Sequence, residues 1–470
     1  MVPVAEMTTE EVQSYLRRRT GIAASTAGRS LLQRIVKSKW TWVTTVLVIV
    51  AGVSLWVLIR SVMASTQDSD GNVIPGLNAD ALWLSASRAL PTLLFWIVCF
   101  ILVDRFKPQR WRVWFLAVVW GGCIAVTAAY FINTWVSVRM AVVDETSGTI
   151  SVRVAVFSAP FVEEAMKASV VFLIAAVDRN RFTSRVSGAV IGGLVGAGFA
   201  FTENIIYYAR VVVYGSYTSG TGDVMAALDY MVLFRGVLTC FGHPLFTLMT
   251  GVGIAFAVTT RSKVVRVIAP VTGYLFAAFL HMFFNWWASI LSDTQVISAV
   301  LVVAWPIVFM VALRVIMSSI AQRRTIQARL TDYVAMGWLP STYPEAFSRF
   351  RTRVWTIIMS LWHGNVIRSW KLQVRATQLA FLREAITRGT VDQGGLFAEH
   401  ELIDDMAHLS QRGGLVSGRG LRPYWPWNSP RWRRRGSFTP PWGHTQKVSD
   451  VVGSPLKYSA SDPRWGPPSA

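Results

Sequence analysis

Four short segments place side chains that can move protons or bind cations inside long apolar stretches. Glu163, Glu164 and Lys167 stand in Pro160-Phe161-Val162-Glu163-Glu164-Ala165-Met166-Lys167, and Glu203 and Asn204 close Phe199-Ala200-Phe201-Thr202-Glu203-Asn204. Arg235 precedes His243 by eight residues, and His281 and Asn285 bracket Met282-Phe283-Phe284. A charged side chain at mid-bilayer costs at least ~2.5 to 3.5 kcal/mol, so each needs a reason to be there. One chemistry such a set permits is peptide hydrolysis. A carboxylate takes a proton from water, an imidazole binds a metal or polarises a carbonyl, and an Asn amide donates to a developing oxyanion. A catalytic Zn²⁺ takes about three His or carboxylate ligands plus water. His243 and His281 with one or more of Glu163, Glu164 and Glu203 supply that number. There is no HExxH, which excludes the soluble zincin arrangement.

Each residue also has a plainer reading. Glu163 and Lys167 can be a neutralised pair within the membrane, a membrane His often only satisfies an interhelical hydrogen bond, and Arg235 can snorkel to the interface. Joint occurrence argues against these readings taken one at a time, because two Glu motifs and two His fall on four successive apolar segments. Counted along the helices, Glu163, Glu203, His243 and His281 spread over about 12 Å of depth. That is compatible with one layer in the outer half of the bilayer. Glu163 and Lys167, Phe199 and Glu203, and His281 and Asn285 are each four residues apart and present one helix face. Glu164 is turned about 100° from Glu163, so the two carboxylates do not point equally well at one spot. The spacing leaves open which of them is the base.

The elements that must position these groups are transmembrane helices. Hydrophobic residues make up 53% of the 470 and charged residues 15%, too few for an ordinary soluble protein. Apolar runs of roughly 20 residues are expected at about 41–63, 82–103, 111–133, 153–177, 186–209, 230–259, 265–290 and 295–316. The fold class expected is an all-α, polytopic membrane bundle of about eight spans. Gly192, Gly193, Gly196 and Gly198 give the fifth span small-residue spacing for close helix approach. Lys and Arg divide seventeen to three between alternate connections, which orients both termini to the cytoplasm. The first span is read as an anchor, because residues 1–40 are polar and open on a capping-box pattern.

Four regions are expected: a cytoplasmic segment 1–40, the membrane domain 41–317, a cytosolic helical module 318–410 with breaks at Gly364 and Gly389, and a disordered tail 411–470 rich in Pro, Gly, Trp and Arg. The tail is suited to anionic lipid or a cytosolic partner. The net charge of +20 carries no nucleic-acid motif, so no nucleic acid is expected. Cys99, Cys123 and Cys240 read as packing residues. The excess of Arg over Lys suits a GC-rich, bacterial genome.

In order and spacing, EExxK (Glu163, Glu164, Lys167), FxxxEN (Phe199, Glu203, Asn204), Arg235 with His243, and HxxxN (His281, Asn285) resemble the PrsW family of intramembrane proteases. That family is distantly related to the CAAX-prenyl protease group. The likeness covers about residues 150–290. It implies that Glu163 or Glu164 activates water with help from Glu203, His243 and His281, that Asn285 donates to the oxyanion, and that Lys167, Asn204 and Arg235 support. It also implies a membrane-anchored protein substrate and a metal such as Zn²⁺, held by His243, His281 and Glu203, with a metal-free Glu/His mechanism as the other route. Two further readings remain open from the residues themselves: an ion or proton-coupled transporter, and a non-catalytic scaffold.

Overall fold

The computed structural model describes residues 36, 39–67, 71, 73–106, 111–143, 153–177, 182, 184–218, 223–260, 262–291, 293–387 and 393–411. The expectations for the leader up to residue 35, for Gly389 and for the tail from residue 412 lie outside them. The chain divides into two units, the second taking in Arg105–Pro108 and the residues from Met317 on.

The membrane unit begins with α1 (Lys39–Met63), a two-residue hairpin of β1 (Thr66–Gln67) and β2 (Val73–Ile74) that pairs Thr66 with Ile74, and α2 (Ala79–Val103). Asn78 caps α2 by accepting the Ala81 amide at 2.8 Å. Next come α3 (Trp111–Val119) and α4 (Val126–Val143), joined through a π turn at Trp120–Ala125, and α5 (Ala159–Val177), entered by a π turn at Val154–Ser158. The 34-residue α6 (Arg185–Thr218) follows. After it lie α7 (Val224–Met231), a π turn at Val232–Leu238, α8 (Gly242–Thr259), α9 (Lys263–Ile290), α10 (Asp293–Ala299), and a π turn at Val300–Ala304 leading into α11 (Trp305–Ala335).

Among the described residues, 7 helical stretches are long and apolar enough to cross a membrane. The fourth expected span, 153–177, is helical from Val154 through Val177 but is not one of the seven. Glu163, Glu164 and Lys167 in its middle remove the apolarity that marks the others. Helix α11 runs unbroken across residue 317, where the two units divide, to Ala335. No Gly or Pro interrupts it between Pro306 and Gly337, which ends the helical path at a φ of 73°.

Glycine sets how closely the central helices approach. A Cβ on Gly188 or Gly251 would fall well under 3.0 Å from the other's carbonyl oxygen, and one on Gly196 would strike the His243 carbonyl. Gly253 stands in the same relation to Ala269 on α9. Helices α6, α8 and α9 are therefore held backbone to backbone.

The second unit is built from the C-terminal part of α11 with α12 (Tyr343–Ser348), α13 (Phe350–Trp362), α14 (Val366–Thr387) and α15 (Gln393–Gln411). Pro344 starts α12 and Gly364, at φ 65°, separates α13 from α14, as the sequence suggests. Its core joins Ile326, Leu330 and Tyr333 to Phe347, Leu372, Leu379 and Met406, with Phe106 as part of the same cluster. Glu399 is buried there, accepting a hydrogen bond from the Tyr333 hydroxyl with Arg383 3.8 Å away. Burial pushes its carboxyl up to about 7, against the pull of Tyr333 and Arg383. A carboxyl raised on folding binds its proton more tightly in the folded state, so its contribution to stability falls as pH climbs from about 4.5 to about 7. Pulse proteolysis of this unit in the full chain is expected to show more opening at about pH 8 than at about pH 5, and Glu399→Gln to remove the difference.

Candidate active site

Helix α5 delivers three charged side chains from less than two turns. Glu164 and Lys167, three apart, form an ion pair at 2.8 Å with both side chains 0% exposed. Glu163, one residue earlier, points differently and lines a cavity of about 430 Å³. Glu203 and Asn204 come from mid-α6. Arg235 comes from the π turn at Val232–Leu238, after which the chain breaks at Thr239–Phe241. The Thr239 hydroxyl donates to the Phe234 carbonyl at 2.9 Å, and α8 then starts with Gly242-His243-Pro244. Proline suits that first turn because its missing N–H has no partner there. His243 thus sits at a helix start and not in mid-helix, as the single span expected over 230–259 implies. His281 and Asn285 come from α9.

These residues form one network. Lys167 Nζ lies 2.8 Å from Glu164 Oε1, 2.9 Å from His243 Nδ1 and 3.5 Å from Glu163 Oε2, and it stands 3.8 Å over the Phe199 ring. Glu164 has both oxygens engaged: its Oε1 also meets His281 Nδ1 at 3.2 Å, and its Oε2 accepts the Thr247 hydroxyl at 2.9 Å. Glu203 Oε2 is shared by His243 Nε2 at 2.7 Å and Arg235 Nη2 at 2.6 Å. Arg235 Nε donates to Asn204 Oδ1 at 2.9 Å, which gives Asn204 the task of orienting the guanidinium. The two imidazole rings meet edge to face with centroids 5.0 Å apart.

Glu163 differs from the other carboxylates. Its Oε1 accepts a long hydrogen bond from Asn133 Nδ2 at 3.4 Å, while its buried Oε2 has no hydrogen-bond partner among the described residues. His281 Nε2 is 3.8 Å from that oxygen. The gap between them opens on the cavity, whose wall also includes Glu203, His243 and Asn285. Asn285 Nδ2 donates to the Ala155 carbonyl at 2.8 Å. That bond uses one of the two amide hydrogens and fixes the side chain at the cavity wall.

Asn133 is the site residue that sequence reasoning missed. It stands at the last position of the third expected span, where a polar side chain reads as interfacial, whereas α4 runs on to Val143. Its Oδ1 is buried without a hydrogen-bond partner among the described residues, so the amide is half used. A polar residue four positions before Ser137, on one helix face, was the available signal.

The donor chemistry suits a divalent metal. Glu163, His243 and His281 each offer one ligand atom, all within 4.8 Å of one another, and Glu163 Oε2 is the orphaned atom expected beside such a cation. The carboxylate of this cluster is Glu163; Glu203, in the triplet expected from the sequence, is taken up by His243 and Arg235. His243 has both ring nitrogens engaged, by Lys167 and Glu203, and joins a metal only by releasing one of them.

Comparison with curated proteins and with solved structures gave no match. The model of the PrsW family intramembrane metalloproteases matches residues 109–313, which contain every residue of this network. Over those residues the chain is similar to the PrsW family intramembrane metalloproteases, a likeness that supports a peptidase, and its long apolar helices are those of a multi-pass membrane protein.

Proposed function

We propose that the protein hydrolyses a peptide bond of a membrane-anchored protein in the outer half of the bilayer, with Glu163 as the base that activates water. The observation that carries this reading is Glu163 Oε2, which accepts no hydrogen bond among the described residues and is buried in the cavity wall opposite His281 Nε2. A general base needs a lone pair directed at the reacting water, and Glu164, held by Lys167, His281 and Thr247, does not line the cavity. Glu164 instead holds Lys167 and His281 in place. Glu203 and Arg235 fix the His243 ring, and His243 and His281 face the reacting carbonyl. Asn285, set by the Ala155 carbonyl, and Asn133 offer the remaining amide hydrogens to the oxyanion. A metal held by Glu163, His243 and His281 would supply Lewis acidity to water or carbonyl. The outer-half placement rests on the seventeen-to-three division of basic residues, which also puts both termini in the cytoplasm.

The test is processing of membrane-anchored proteins in cells carrying Glu163→Gln, Glu164→Gln or His281→Ala singly. Unchanged processing in all three would sink the proposal. Asn133→Ala is expected to lower cleavage by about 10- to 100-fold, the usual effect of losing an outer partner of a catalytic group. Membrane insertion and melting temperature should stay near wild type, as a gel-shift cleavage assay run beside a thermal melt would show.

A further inference from the structure

Helix α13 is amphipathic the wrong way round for a helix of a water-soluble module. Its inward face is polar: Arg353, Thr356 and Ser360 are buried. The Arg353 guanidinium donates to the carbonyls of Phe106 and Phe347 at 3.2 and 3.3 Å and to the Thr377 hydroxyl at 3.0 Å, and Gln373 Nε2 donates to its backbone carbonyl at 3.0 Å. These bonds fix the helix's rotation. Its apolar face is therefore turned out, with Trp355, Ile358, Leu361 and Trp362 exposed at helical spacing.

The same surface continues across the Gly364 turn onto the start of α14. Leu361, Trp362 and Ile367 are 62%, 73% and 68% exposed, and Trp370 lies one turn after Ile367. Basic residues flank the patch: Arg351, Arg368 and Lys371 are exposed. No Asp or Glu occurs between Glu345 and Glu384, a stretch holding seven Lys and Arg. A contiguous apolar patch of this kind marks an interaction surface. Trp at its edges and exposed basic side chains around it match the headgroup region of an anionic membrane.

We propose that the tip formed by α13 and the start of α14 docks on anionic lipid headgroups, with Leu361, Trp362, Ile367 and Trp370 entering the interface and Arg351, Arg368 and Lys371 contacting the headgroups. Because the chain also spans the bilayer, the lipid surface is present at high effective concentration and modest intrinsic affinity suffices. This inference is independent of the peptidase mechanism.

The experiment uses the full chain in nanodiscs of phosphatidylcholine alone or mixed with phosphatidylglycerol. Cys99, Cys123 and Cys240 are replaced by Ala, and an environment-sensitive fluorophore is attached at Leu361→Cys or Ile367→Cys. In anionic discs the fluorophore is expected to shift to the blue, to be quenched by nitroxide-labelled lipid and to be shielded from aqueous iodide. Neutral discs, or the triple variant Arg351→Gln, Arg368→Gln and Lys371→Gln, should weaken nitroxide quenching by about fivefold or more, each basic residue near such a surface being worth about that factor. Should the cysteine-free chain not fold, hydrogen exchange of residues 350–371 in the native chain, slower in anionic than in neutral discs, reads the same contact. Free access of iodide in both lipids overturns the proposal. Shielding from iodide without nitroxide quenching assigns the face to a protein contact and overturns it equally.

Discussion

Glu163→Gln is expected to lower substrate cleavage by about a thousandfold, the scale of losing a positioned general base, while leaving the melting temperature of the detergent-solubilised protein within a few degrees of wild type. The amide keeps the shape of the carboxylate and its place beside Asn133, but it has no proton affinity to offer a water molecule. Glu163 is also the carboxylate with the fewest structural obligations, a 3.4 Å bond to Asn133 and an ion-pair distance of 3.5 Å to Lys167. Retained cleavage in Glu163→Gln, with cleavage lost in Glu164→Gln at unchanged stability, would reverse the two assignments.

Lys167→Met should be the most destabilising single change at the site. It leaves Glu164, 0% exposed, facing His281 and Thr247 without its cation, and breaking a buried pair from one side costs roughly 3 to 5 kcal/mol. The double variant Lys167→Met with Glu164→Gln should recover part of that loss, since Glu164 no longer carries an uncompensated buried charge while Glu163, 3.5 Å from the lysine, still does. Thermal denaturation midpoints of wild type, the two singles and the double form the cycle that checks it. A double variant no more stable than Lys167→Met would show that the lysine acts through packing against Phe199 instead of through charge.

The membrane helices and the members of the network were legible because lipid makes intramembrane charge improbable. Glu163, Glu164, Lys167, Glu203, His243 and His281 announce themselves by standing in apolar runs, and the structure brings all of them together. The difference between the two neighbouring glutamates was not legible. It depends on Thr247 and His281 reaching one of them and Asn133 the other, which are contacts across 30 to 117 positions. Asn133 itself was hidden by a helix end set ten residues short. For α13, periodicity identifies an amphipathic helix but not which stripe faces inward. Only the hydrogen bonds of Arg353 decide that.

The glycine contacts between α6, α8 and α9 also bear on how the machine moves. Surfaces that meet backbone to backbone contain no rotamers to rearrange, so these three helices behave as one plate, carrying Glu203, His243, His281 and Asn285 at fixed mutual positions. Glu163 is the member of the proposed centre mounted elsewhere, on α5 behind the π turn at Val154–Ser158. Glu164 and Lys167 on that same helix bond to His281, Thr247 and His243, so α5 is tied to the plate and Glu163 stands 3.8 Å from His281 with no rearrangement of the plate itself.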